Sequence, residues 1–307
     1  VKKFKRYFLA FSVIFFAGCI FLQSAWAQDP IKVFVSIVPQ KYFVEQIGKD
    51  LVDVQVMVEP GASPATYEPK PGQMAAISKA ALYFSIGVPF ENAWLKKIAS
   101  ANPDMRIVHT DERIQKAPIS VHRHHDEGEH HEKHDNAHKA DHHEDGIPDP
   151  HIWLSPPLVV AQARSILTAL QEIDPLHHSV YETNCNTFLL KVMRLDAELK
   201  GIFAGKQGLR FMVFHPAWGY FARAYGLEQV PIEIEGKEPK PAQLKELIDY
   251  AKEKDIKVVF VQPQFSAKSA QQIAREIGGH VVFANPLAEN WMENLRQQAE
   301  AFKKALR

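Results

Sequence analysis

Short apolar runs alternate with amphipathic stretches along most of the chain. Residues 31–36, 52–58, 82–86 and 106–109 read as strands, and 52–58 carries its β-branched residues at period two. Between them, 40–47, 73–79 and 91–100 space their apolar residues as helices do. The alternation breaks after residue 109 and resumes with a helix over 157–172. A longer helix is predicted over 175–204, with Val180, Phe188, Val192, Leu195, Leu199 and Phe203 mostly three or four apart. Pro175 opens it, Gly205 and Gly208 close it, and at 1.5 Å per residue it would span about 45 Å. A second series follows, with strands over 210–214, 229–234, 257–262 and 280–284. Its helices fall over 218–225, 241–254, 267–277 and 291–306. Strands alternating with helices imply parallel sheets covered on both faces. The expected fold is therefore α/β: two doubly wound parallel-sheet lobes joined by a long rigid helix, with a cleft between them.

The expected division is residues 1–27 as a signal peptide, 28–172 as the first lobe, 173–206 as the connecting helix and 207–307 as the second lobe. Lys2, Lys3, Lys5 and Arg6 form a basic start, residues 8–22 an apolar stretch, and Ala25-Trp26-Ala27 a cleavage site before Gln28. Phe16-Ala17-Gly18-Cys19 is similar to a lipoprotein box, but Phe replaces the usual Leu and a good cleavage site follows, so a free exported protein is preferred. The full chain balances 36 basic against 36 acidic residues. Losing residues 1–27 removes four bases and no acids, leaving a net charge of −4. That speaks against nucleic acid as a partner, which calls for a basic face. Only Cys185 survives cleavage, so no internal disulfide can form, and export to a periplasm with a core large enough to hold the fold is expected.

Nine of the fifteen histidines crowd into residues 121–146: His122, His124, His125, His130, His131, His134, His138, His142 and His143. Eight acidic residues lie among them, with almost no apolar ones, so the segment is expected to be a disordered loop without a core of its own. The histidines follow no fixed ligand spacing. Imidazoles, mostly neutral at pH 7, suit a metal-catching tether. Because the segment ends a few residues before His151, a captured ion would be held at high effective concentration there.

In open parallel sheets, ligands bind beyond the carboxyl ends of the strands. That places residues 60–72, His109, His215, Glu233, Glu235, Gln262, Gln264 and Asn285 on a short list, and His151 lies just before a helix. His109, His177, His178 and His280 read as ordinary hydrogen-bonded histidines. His151 sits between Pro150 and Ile152-Trp153, and His215 is followed by Pro216-Ala217-Trp218; such stiff surroundings favour a fixed side chain.

The stretches DPHIWLSP (149–156), FMVFHPAWGYFARAYGLEQVPIEIEGKEP (211–239) and VQPQFSAKSAQQIAREIGG (261–279) closely resemble the zinc-uptake solute-binding proteins of bacterial ABC transporters. The likeness runs from residue 31 to the C-terminus, with the histidine-rich insert in the usual place. It implies two α/β lobes, a rigid connecting helix, a metal held between the lobes and delivery of that metal to a membrane permease. It also implies His151 and His215 as the main metal ligands. Two further family ligands are missing: Ala65 stands where a loop histidine is expected, and Asn285 where an aspartate is expected. Glu68 and Asn285 remain weak candidates to complete the shell, along with water or an insert histidine.

Zn2+ is the expected ion, with Mn2+ or another divalent ion as an alternative, and the protein is expected to act as a monomer. Zinc usually takes four ligands, and two neutral imidazoles without a carboxylate leave its charge uncompensated, so reduced affinity is expected. The alternatives are a receptor of weakened or altered specificity and a periplasmic zinc buffer acting mainly through the insert. A metallohydrolase with Glu68 or Glu235 as base is also conceivable, although the chain lacks an H-E-x-x-H motif. With Ala65 in place of the loop histidine, the insert is expected to supply a ligand directly, so deleting residues 122–143 is expected to lower zinc affinity at the cleft.

Overall fold

The computed structural model describes residues 29–120, 146–234 and 236–306. The expected signal peptide, Cys19, the nine insert histidines and Glu235 lie outside the described residues. Among the described residues, eight strands form two four-stranded parallel sheets of the same topology. The first, in order β2-β1-β3-β4, contains β1 (Ile31–Val35), β2 (Val52–Val56), β3 (Leu82–Ser85) and β4 (Arg106–His109). The second, in order β6-β5-β7-β8, contains β5 (Arg210–Val213), β6 (Glu228–Pro231), β7 (Val258–Val261) and β8 (His280–Phe283). In register, Val35 pairs with Val56 and Phe84, and Val213 with Pro231 and Phe260. The inner strands β3 and β7 are buried along their whole length. This burial reflects cover on both faces; β7 is apolar throughout, while β3 ends on Ser85.

The helices are α1 (Val38–Gly48), α2 (Pro71–Ile77), α3 (Pro89–Ala101), α4 (Pro156–Ile173), α5 (His178–Ile202), α6 (Gly219–Ala224), α7 (Pro241–Glu253), α8 (Lys268–Glu276) and α9 (Trp291–Ala305). Five of them (α1, α2, α3, α4 and α7) carry proline in the first turn, where its missing N–H is no loss. The connecting helix is somewhat shorter than expected, because Pro175–His177 forms a 3-10 turn before α5 begins. Its inner face, Tyr181, Cys185, Phe188, Val192, Leu195 and Leu199, is buried against both halves of the molecule. Cys185 is fully enclosed and burial pushes its thiol up to about 11, so it is a packing residue with little thiolate character.

One core cluster runs through both halves, and the second half has a separate one between its sheet and helices α7 and α8. The closing helix α9 makes the weld. Its Trp291 ring lies 5.1 Å from Phe43 of α1, edge to face, while its Phe302 lies 4.1 Å from Phe260 of β7 and 4.7 Å from Phe211 of β5. Such aromatic contacts bury much area per residue in a fixed geometry. Among the described residues, no helix is long and apolar enough to cross a membrane.

Candidate metal centre

Each sheet reverses its strand order beside its first strand, between β1 and β3 and between β5 and β7. Ligands bind at such switch points. His215 follows β5 by two residues and stands at the second one. The buried Gln262, directly after β7, holds it there: the His215 N–H donates to Gln262 Oε1 at 3.2 Å, and Gln262 Nε2 donates to the His215 carbonyl. The His215 ring stacks on Phe265, with centroids 5.0 Å apart.

His151 comes from the irregular segment before α4. Asp149 Oδ1 accepts both the His151 backbone N–H at 3.0 Å and its ring Nδ1–H at 2.7 Å. This segment is tied across the halves. Tyr220 of α6 donates its hydroxyl to the Asp149 carbonyl at 3.0 Å and accepts the Ala117 N–H at 3.0 Å. Gly219, at the start of the same helix, gives Asp149 room, since a Cβ there would lie 3.0 Å from Asp149 Oδ2. Trp153 packs against the His151 ring and donates from Nε1 to the Pro286 carbonyl at 2.7 Å.

These constraints bring the two imidazoles together, with His151 Nε2 3.3 Å from His215 Nε2. Behind His215, Nδ1 lies 2.8 Å from Glu233 Oε1. A carboxylate oxygen accepts, so each Nδ1 is the donor of its pair, and a ring in that tautomer turns its Nε2 lone pair toward the gap. Two lone pairs at that distance repel unless a cation stands between them. The second oxygens, Asp149 Oδ2 and Glu233 Oε2, are buried and carry no hydrogen bond among the described residues. Two buried anions with unsatisfied oxygens call for positive charge nearby. A dication bridging the rings supplies it, and a zinc ion fits by distance as well. With Zn–N bonds of about 2.0–2.1 Å and a tetrahedral angle, the two nitrogens should sit about 3.3 Å apart.

Burial pushes the His151 imidazole below its ordinary range, against the opposing pull of Asp149. The ring therefore stays neutral, and able to bind metal, at lower pH than a free histidine. The expectation that no carboxylate compensates the ion is corrected here. Each ring leans on one, and oriented carboxylate–histidine pairs of this kind raise ligand basicity. Replacing Glu233 by Gln is expected to weaken metal binding about 10–100-fold without unfolding the protein, as a titration against a coloured chelator would show. An unchanged affinity would remove Glu233 from the site.

The other candidates are not brought to the pair. Glu68 is exposed and does not line the cleft. Asn285 also lies off the cleft wall; its Oδ1 accepts the Leu287 N–H at 3.0 Å, closing a turn on its own chain. Ala65 does line the cleft, in a loop that keeps Pro64 beside it. His109 bonds to Ser85 at 2.8 Å, His177 to Asp174 and His178 to Gln171, all away from the cleft. Among the described residues, no three His, Cys, Asp or Glu side chains converge as a complete ligand set. Asp149 and Glu233 were missed as partners in the sequence. The signal that could find them is chemical: each ligating histidine needs an acceptor for its other N–H. An acid two residues before His151, and another beyond the strand flanking β5, provide it.

A family model described as "Zinc-uptake complex component A periplasmic" matches residues 33–305. The chain belongs to this family. It is a solute-binding component of the zinc-uptake type and not an enzyme, so the hydrolase alternative falls away. Among relatives, the high-affinity zinc uptake system protein ZnuA of Bacillus subtilis (strain 168) is 30% identical over 84% of this chain and 79% of its own length. A crystal structure of a ZnuA is similar at 42% identity and TM-score 0.81, covering 91% of this chain and 100% of that one. A zinc-bound ZnuA deletion mutant is similar at 42% identity and TM-score 0.79, covering 91% and 98%. These zinc-uptake relatives carry the same two-sheet fold.

Proposed function

We propose that the protein is a periplasmic receptor that takes up a zinc ion between His151 and His215 and hands it to the membrane permease of an ABC importer. The reading is carried by the 3.3 Å separation of the two Nε2 atoms, which matches two corners of a zinc tetrahedron. The donors are imidazole nitrogens, which suit zinc, and also nickel, cobalt and copper, better than they suit manganese. The zinc-uptake relatives support zinc within that group.

The histidine-rich insert acts as an auxiliary trap that raises the local ion concentration. Its two feet meet at the mouth of the cleft: the Ile119 N–H donates to the Ile147 carbonyl at 2.9 Å, and Pro118 bridges to Pro148. Ile119, Ile147 and Pro148 all line the cleft. The chain on both sides of the insert is thus anchored at the cleft that the histidine pair lines. The test is a competitive zinc titration of the full chain and of a variant lacking residues 122–143. One tight site per chain is expected to remain after the deletion, while the weaker sites disappear. Loss of the tight site would place the main zinc site in the insert and make the protein a buffer rather than a cleft receptor.

A further inference from the structure

Beyond the two imidazole nitrogens, the cleft is far larger than a metal ion requires. Its volume is about 470 Å³. A zinc ion completing its shell with two waters needs only some 60–70 Å³, at about 30 Å³ per water, whereas small-molecule pockets run from about 300 to 1,000 Å³. The space is held open by stiff walls, because Pro64, Pro89, Pro148, Pro150 and Pro286 all line it. Its surface is mostly apolar, and Ala65 offers no donor where the loop approaches the pair.

Among the described residues, one side chain on the wall carries a permanent charge, and it is cationic. Lys116 donates to Asp111 Oδ2 at 2.5 Å and to the Ile86 carbonyl at 3.3 Å. An ammonium has three N–H groups, so one is left over after these two partners, while Asp111 balances the charge. Gly87 accommodates this arrangement. Its φ is +82°, and a side chain there would collide with the Lys116–Asp111 pair. A bare dication gains nothing from an ammonium on the wall. An anionic group bound to the metal would accept the remaining N–H.

We propose that the cargo of this cleft is zinc already chelated by a small molecule of the amino-acid type. Its carboxylate oxygen and nitrogen would take the two coordination positions that His151 and His215 leave open, its apolar body would fill the pocket, and its carboxylate would face Lys116. No bond is made or broken other than metal coordination. The inference rests on the histidine-pair reading and adds the second partner of the ion.

The probes are zinc alone and zinc with one equivalent of L-histidine, added to the full chain. Calorimetry gives the affinity of the cleft, and native mass spectrometry gives the composition of the complex. The expected result is a species of one protein, one zinc and one histidine, with zinc held at least tenfold more tightly than without the amino acid. Both features should be lost in His151→Ala. In Lys116→Ala the gain should fall at least fivefold while the protein still folds. If L-histidine only competes, weakening zinc uptake with no ternary species, the chelate inference is overturned and the histidine-pair reading stands. A ternary species that persists in His151→Ala resides elsewhere and also overturns it. If zinc alone and chelated zinc both fail to bind at the cleft, both readings fall together.

Discussion

In His215→Ala, the zinc affinity of the cleft is expected to fall about a hundredfold or more. Zinc sites with four protein ligands bind with roughly 10–16 kcal/mol, or about 3 kcal/mol per ligand, which is about two powers of ten. The loss here should reach at least that value. With one imidazole gone, the pair can no longer bracket the ion, and Glu233 is left buried without the ring it serves. The measurement is a chelator competition on the variant lacking residues 122–143, so that the insert does not mask the cleft. Equal affinities with and without the His215 ring would sink the proposed site. The reciprocal change, Ala65→His, should tighten binding by adding a third nitrogen on the cleft wall, whereas Asn285→Asp should do less, since that side chain closes a turn away from the cleft.

The largest effect on stability is expected from Trp153→Ala. The indole is 1% exposed, packs on His151, donates to the Pro286 carbonyl at 2.7 Å, and lies in a residue whose own carbonyl accepts from Trp291 Nε1 at 2.7 Å. Truncating a buried tryptophan removes apolar contact and leaves a cavity, at a cost of about 3–5 kcal/mol. In a chain of this size, that lowers the melting temperature by on the order of 10 °C. Circular dichroism on heating measures it, and a loss below about 1 kcal/mol would show that the indole contributes little to the packing behind His151. Trp153→Phe should cost less, about 1–3 kcal/mol, chiefly by leaving the Pro286 carbonyl unpaired.

The order of elements was legible in the sequence because each strand and helix carries its own period. All eight strands and the long connecting helix lie where the apolar spacing puts them, within a few residues. His151 and His215 stood out because proline and tryptophan flank them. The carboxylates behind them were less visible. Asp149 is adjacent in sequence, but its role depends on a ring turning back toward it, and Glu233 reaches His215 only because β6 pairs with β5. Local pattern does not encode strand pairing. Asn285 shows the opposite failure: a residue in a suggestive position whose side chain is already engaged by its own backbone. The common core of the two halves was equally hidden, because helical spacing in residues 291–306 does not say that one face meets Phe43 while another meets Phe260.

That shared core also limits how the carrier can let go of its load. Swinging the halves apart would strip Trp291 from Phe43 and expose a seam of aromatic rings to water, so wide opening works against the packing that joins them. Small shifts of the rim segments around a fixed body would leave that packing intact.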